Sequence, residues 1–117
     1  MSQSPARFKA AMIQMRSGLN PAANVDAAVR LIEQAKADGA DYVQTPEMTN
    51  ILAAKRDQLF ATVVEESEDA SLAAFRDLAR RLAITVHVGS LAIRLTHDRA
   101  ANRGFLIDPA GEIDHYI

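Results

Sequence analysis

The chain has 117 residues, 49% hydrophobic and 24% charged, with a formal net charge of −2. That length holds one domain with a modest core, and the near-neutral balance gives no electrostatic ground for nucleic acid or an anionic membrane as partner. There is no cysteine, which excludes disulfides, thiolate metal sites and a cysteine nucleophile within these residues.

In chain order, the N-terminal segment 1–7 lacks a signal-peptide core. No later window approaches the ~18 consecutive apolar residues of a membrane-spanning helix, so a cytoplasmic address is the default. Phe8–Met15 (FKAAMIQM) is an apolar run of strand length, broken by the turn residues Ser17-Gly18-Leu19-Asn20-Pro21. Asn20 before Pro21 predicts a helix start, an N-cap residue with proline at the first helical position. Val25, Ala28, Val29, Ile32 and Ala35 share one helical face, and Gly39 stands where a left-handed C-cap belongs. The helix is therefore predicted over 21–38.

Asp41–Thr45 reads as a second strand, ended by Pro46. Residues 48–68 are less regular: DQLFATVVEE allows a helical turn or two, and the acidic run Glu65-Glu66-Ser67-Glu68-Asp69 reads as a solvated approach to a helix. Ser71 is the expected cap of that helix, with Leu72, Phe75, Leu78, Ala79 and Leu82 on its apolar face. Ile84–Arg94 is β-branched and alternating, a third strand, followed by the polar connection THDRAAN. Gly104–Asp108 is a fourth strand, Pro109-Ala110-Gly111 a turn, and Glu112–Ile117 a fifth strand antiparallel to the fourth. Strands alternating with helices imply parallel pairing at the start, and the closing hairpin makes the sheet mixed, an α/β fold.

In α/β sheets functional groups gather beyond the carboxyl ends of strands. Glu47 is the second residue past such an end, behind the stiffening Pro46. From position alone it is either a turn glutamate at the surface or a functional carboxylate. The other constellations are weaker. His87, His97 and His115 lie in or beside separate strands without ligand spacing, so no metal site is expected. Ser90, His87 and Asp98 lack a nucleophile elbow, and the isolated Gly89 and Gly104 form no phosphate-cradling loop. Arg103 reads as a surface or interface charge.

Five pieces in order resemble the N-terminal part of the nitrilase superfamily, the carbon-nitrogen hydrolases. They are KAAMIQM ending near Gln14, Asn24 early in the first helix, the Gly39-Ala40 pair, Pro46-Glu47 after the second strand, and Asn102 ahead of DPAG at 108–111. The resemblance implies an αββα sandwich, of which this chain is the mixed-sheet portion: an incomplete piece, residues 1–117, of one hydrolase domain. It also implies a Glu-Lys-Cys site with no cofactor and no metal. The cysteine attacks an amide or nitrile carbon, the glutamate is the general base and the lysine holds the oxyanion. Glu47 matches the base. The lysine follows a Tyr-x-Lys pattern, and Tyr116-Ile117 brings the chain to its last residue one short of it. Lys9, Lys36 and Lys55 match no family position.

Met48, Thr49 and Asn50 follow the base and are expected to line the pocket mouth. Asn102 is expected either to hold a loop by hydrogen bonds, if buried between strands, or to contact substrate. Two functional readings follow. One is part of an amidase-type enzyme (ω-amidase-like or Nit-like) acting on a small linear amide, homo-oligomeric when intact. The other is a truncated, non-catalytic relative serving as a binding or assembly module. On either reading these residues alone hydrolyse no amide, because the nucleophile is absent.

Overall fold

A computed structural model describes residues 7–116. Five strands form one sheet in the order β1 (Ala10–Met12), β2 (Tyr42–Gln44), β3 (Thr85–Thr96), β4 (Arg99–Ile107), β5 (Ile113–Tyr116). The β1–β2 and β2–β3 pairs are parallel, and the β3–β4 and β4–β5 pairs antiparallel. The two reversals return β5 to the direction of β2, so Gln44 and Tyr116 leave the sheet at the same end. β1 is shorter than the apolar run Phe8–Met15 because its partner β2 offers it only the three positions Tyr42, Val43 and Gln44.

Helix α1 spans Pro21–Ala37, with the Asn20 side chain accepting from the Ala23 N–H at 3.3 Å. It closes through Gly39 at φ +95°, whose N–H donates to the Lys36 carbonyl at 2.9 Å while Ala40 reaches back to Ala35 at 3.0 Å. The glycine is needed there because a side chain is strained at that φ. A short helix α2 (Arg56–Phe60) and a 3₁₀ turn (Glu66–Glu68) precede helix α3, Ala70–Leu82. The cap of α3 is Asp69, not Ser71. The Asp69 carboxylate accepts from the Leu72 N–H at 2.9 Å, the reach a cap needs, and Ser71 lies already inside the helix.

The polar stretch expected as a connection is strand instead. β3 runs on to Thr96 and pairs with Arg99, so only His97 and Asp98 make the turn, and β4 begins at Arg99. Alternation fails to show this because the tip of the hairpin extends past the helices, where neither face is buried.

Both long helices pack on one face of the sheet. Ala28 and Ile32 from α1 and Leu72, Phe75, Leu78 and Ala79 from α3 meet Val43, Val86, Val88, Phe105 and Ile107. Each fully buried side chain of this size contributes about 1.5–3 kcal/mol by removal from water. The other face carries Tyr42, Gln44, His87, Leu106 and Tyr116, with Met12 and Leu106 exposed. No helix among the described residues is long and apolar enough to cross a membrane.

Candidate active site

The chain leaves β2 through Thr45-Pro46-Glu47-Met48-Thr49-Asn50, and this loop is held against a bulge in β3. Between the pairs Val88–Phe105 and Leu91–Arg103, β3 carries one residue more than β4. The displaced residues Gly89 and Ser90 turn their polar groups to the loop. The Thr45 N–H donates to the His87 carbonyl (2.9 Å) and the Gly89 N–H to the Thr45 carbonyl (3.1 Å). The Met48 N–H donates to Ser90 Oγ (2.8 Å) and the Thr49 N–H to the Ser90 carbonyl (2.9 Å). The Thr49 hydroxyl donates to the Pro46 carbonyl at 2.5 Å.

Farther along, the Asn50 side chain takes the part of a strand residue. Its Nδ2 donates to the Ala92 carbonyl (3.0 Å) and its Oδ1 accepts from the Ala92 N–H (2.9 Å). The Asn50 carbonyl in turn accepts from Asn24 Nδ2 at 2.9 Å, and the Asn24 amide closes on the N–H (3.0 Å) and carbonyl (2.9 Å) of Gly18. Helix α1, the loop and β3 are thus tied through two buried asparagines.

Two backbone features show how tight the seat is. A Cβ on Gly89 would lie 2.7 Å from both the carbonyl carbon and the carbonyl oxygen of Pro46, and closer still to the Thr45 carbonyl. Met48 is held at φ +55°, a left-handed conformation that costs a residue with a side chain about 1–2 kcal/mol. The surrounding hydrogen bonds offset that cost, and the strained residue directly follows Glu47.

Glu47 is exposed, and among the described residues its carboxylate has neither a hydrogen bond nor an ion pair. Its backbone is fixed on both sides by the Pro46 carbonyl and the Met48 N–H, so a free acceptor group is presented from a rigid base at the carboxyl end of β2. Such a group can take a proton from a nucleophile or water placed beside it. No cluster of three or more metal-binding side chains occurs among the described residues.

Residues 9–116 match the family model for carbon-nitrogen hydrolase. The chain belongs to the carbon-nitrogen hydrolase family. Among solved structures it is similar to the NitN amidase from Nesterenkonia sp. AN1, at 26% identity and a TM-score of 0.80 over 94% of this chain and 43% of that one. A glutamate-to-glutamine variant of that amidase, showing Michael addition of acrylamide at its active-site cysteine, matches at 25% identity with the same TM-score and coverage. Nit3 of Saccharomyces cerevisiae, a member of branch 10 of the nitrilase superfamily, shares the fold at 22% identity and a TM-score of 0.79, over 93% of this chain and 43% of its own. No curated protein matches the chain. The chain spans less than half the length of these hydrolases.

Within this member of the family, the residues after Glu47 stand differently from expectation. Thr49 and Asn50 are fully or almost fully buried, at 0% and 3% exposure, and their polar groups are consumed in holding the loop. Met48 is half-buried, packed against the cluster of Ile51, Val63 and Ala92. Asn102 is exposed on β4 opposite Ala92, and its side chain makes no hydrogen bond among the described residues. The loop-holding part expected of Asn102 is played by Asn50, on the other side of the same Ala92.

Arg103 is no free surface charge: it pairs with Glu66 at 2.7 Å, with the arginine side chain 18% exposed. Of the acidic run, Glu66 is thus engaged with Arg103 and Asp69 is buried, while Glu65, Ser67 and Glu68 stay exposed as expected. Asn24 figures in the family pattern, and the structure gives it partners in Gly18 and Asn50. Ser90 is the support the sequence does not reveal, since it carries no local signal of that role.

Proposed function

We propose that this chain supplies the general-base portion of an amidase-type carbon-nitrogen hydrolase acting on small linear amides. The lysine and the cysteine nucleophile come from residues beyond the 117 of this chain. Glu47 takes the thiol proton as sulfur attacks the amide carbonyl, and the lysine balances the charge on oxygen. Glu47 passes that proton to the departing nitrogen, so ammonia leaves a thioester. Glu47 then takes a proton from water as it attacks, and the carboxylic acid and the thiol are released.

The observation that carries this reading is an unpaired carboxylate on a backbone locked into a β-bulge at the carboxyl end of β2. Membership in the hydrolase family and the amidase neighbours support it. The experiment is Glu47→Gln in the full-length protein with a short aliphatic amide as substrate. Turnover should fall by about 10²–10⁴-fold, the usual contribution of a general base, with an unchanged circular-dichroism spectrum. Turnover close to wild type would remove Glu47 from the mechanism.

One feature favours the second reading, a non-catalytic assembly module. The sheet face away from the helices exposes Met12 (64%), Leu106 (42%) and Tyr116 (52%), a surface fit for covering by more protein. Sedimentation of the 117-residue chain separates the two. Self-association without any hydrolase activity in the natural, longest gene product supports the module, whereas activity in that product supports the enzyme.

A further inference from the structure

On the uncovered face of the sheet, four side chains from β2, β3 and β5 form one hydrogen-bonded row. The Tyr42 hydroxyl oxygen lies 3.1 Å from the Gln44 side-chain amide and 2.5 Å from His87 Nδ1. His87 Nε2 lies 2.9 Å from the Tyr116 hydroxyl. The imidazole meets both tyrosine rings edge-on, with centroids 6.0 Å apart in each case.

Tyr116 reaches β3 only by crossing β4, and it crosses at Gly104, its partner in the β4–β5 register. A Cβ on Gly104 would lie 2.7 Å from the Tyr116 hydroxyl oxygen and overlap the ring. The missing side chain is therefore what lets the strand that ends at Tyr116 bond to the strand next to β2. A chance contact between surface side chains does not require a glycine on an intervening strand.

A neutral imidazole has one donor and one acceptor nitrogen, so Tyr42 and Tyr116 take complementary parts at the ring, one donating to it and the other accepting from it. The row joins Tyr116, His87, Tyr42 and Gln44, and Gln44 is the residue from which the Glu47 loop departs.

We propose that His87 is a positioning residue, held in a single tautomer between Tyr42 and Tyr116, that sets the carboxyl end of β5 relative to the Glu47 loop. Its catalytic consequence rests on the function proposed above, in which the residues following β5 bring the lysine to the site; the tautomer itself does not. Among the described residues β5 pairs through its backbone only with β4. Without the row, its end has no link to β2 apart from the two intervening backbones.

The test has two parts, both on the full-length protein. In the first, ¹⁵N-labelled histidine is read by long-range ¹H–¹⁵N correlation at a pH where the ring is neutral. The His87 pattern should be that of one tautomer alone. Rapid averaging of the two overturns the proposal, and this readout is available even in an inactive protein. In the second, His87→Phe, Tyr116→Phe and the double variant are compared by steady-state kinetics. Each single change should lower kcat by about tenfold with KM unchanged, and the double variant should be no worse than either. Losses that multiply, or that fall wholly on KM, overturn the positioning role. Glu47→Gln, run alongside, reports on the catalytic reading alone.

Discussion

Two loops close off strands of this sheet, and they are built on different plans. The N–H groups of the turn between β4 and β5 are satisfied within it: Asp108 Oδ1 accepts from the N–H of Ala110 and of Glu112, both at 2.9 Å, and Gly111 at φ +84° donates to the Asp108 carbonyl at 2.8 Å. Its remote support comes from two arginines of α3, Arg76 donating to the Gly111 carbonyl (2.8 Å) and Arg80 to the Ala110 carbonyl (3.1 Å). The Glu47 loop satisfies itself on Ser90 and Ala92, 42 residues away, and on Asn24 in α1. The bonds to Asp108 form wherever the chain makes the turn. A loop bonded to a bulge holds its geometry only while the bulge exists, and Glu47 is carried by such a loop.

The largest effect expected from breaking that contrast is at Gly89. Gly89→Ala drives a Cβ into the backbone of Thr45 and Pro46, neither of which can swing aside as a side chain would. A loss of about 3 kcal/mol in unfolding free energy is expected, at the upper end for overpacking. In the full-length protein, hydrolysis should fall further than stability accounts for, since the displaced segment carries Glu47. Denaturant melts beside rates at a temperature where both proteins are folded would show it. Equal stability of variant and wild type would mean that the loop is not seated on the bulge.

Asn50→Ala comes next. It removes two hydrogen bonds and leaves the N–H and carbonyl of the buried Ala92 without their partner, at about 1–3 kcal/mol for the stranded groups. The matching change in the local bonds of the β4–β5 turn is Asp108→Ala. There the freed N–H groups face water, so a loss of about 1 kcal/mol or less is expected, with no effect on hydrolysis beyond that of stability. Should Asp108→Ala prove the costlier of the two, the distinction between local and remote support would fail.

The same distinction explains what could be read in the sequence. Asn20, Pro21 and Gly39 bounded α1 correctly, and Asp-Pro-Ala-Gly announced its turn, because each acts on backbone within a few residues. Glu47 was legible by its place after a strand and by the family pattern. The seat beneath it was not, since nothing in Gly89-Ser90 says that a strand will bulge there, or that Asn50 will pair with Ala92. Thr49 and Asn50 look like mouth residues for the same reason: polar side chains after a proline read as exposed until their distant partners are known. The misplaced cap of α3 had a more local origin. Asp69 sits in an acidic run, and the run hid the one member that is buried.

That buried cap allows the finest test, because it is local in its bonds yet remote from water. Burial raises the Asp69 carboxyl above its ordinary value of 3.8, against the hydrogen bonds from Leu72 and Ser71 that favour the charged form, and Glu66 adds to the rise. An acid whose folded pKa is raised binds its proton more readily folded than unfolded. Stability from this group is therefore gained as pH falls through the raised folded value towards 3.8, and is missing at neutral pH. Asp69→Asn keeps a good cap and removes the buried charge, so it should melt at least as high as wild type at pH 7 and lose that advantage as the pH approaches 4. Asp69→Ala removes the cap as well as the charge and should lie about 1 kcal/mol below Asp69→Asn at both. Thermal melts of the three proteins across that range give the sign directly. An asparagine variant that is less stable at pH 7 and gains on wild type as the acid is added would show that the carboxylate is favoured in its charged form, with the hydrogen bonds outweighing burial.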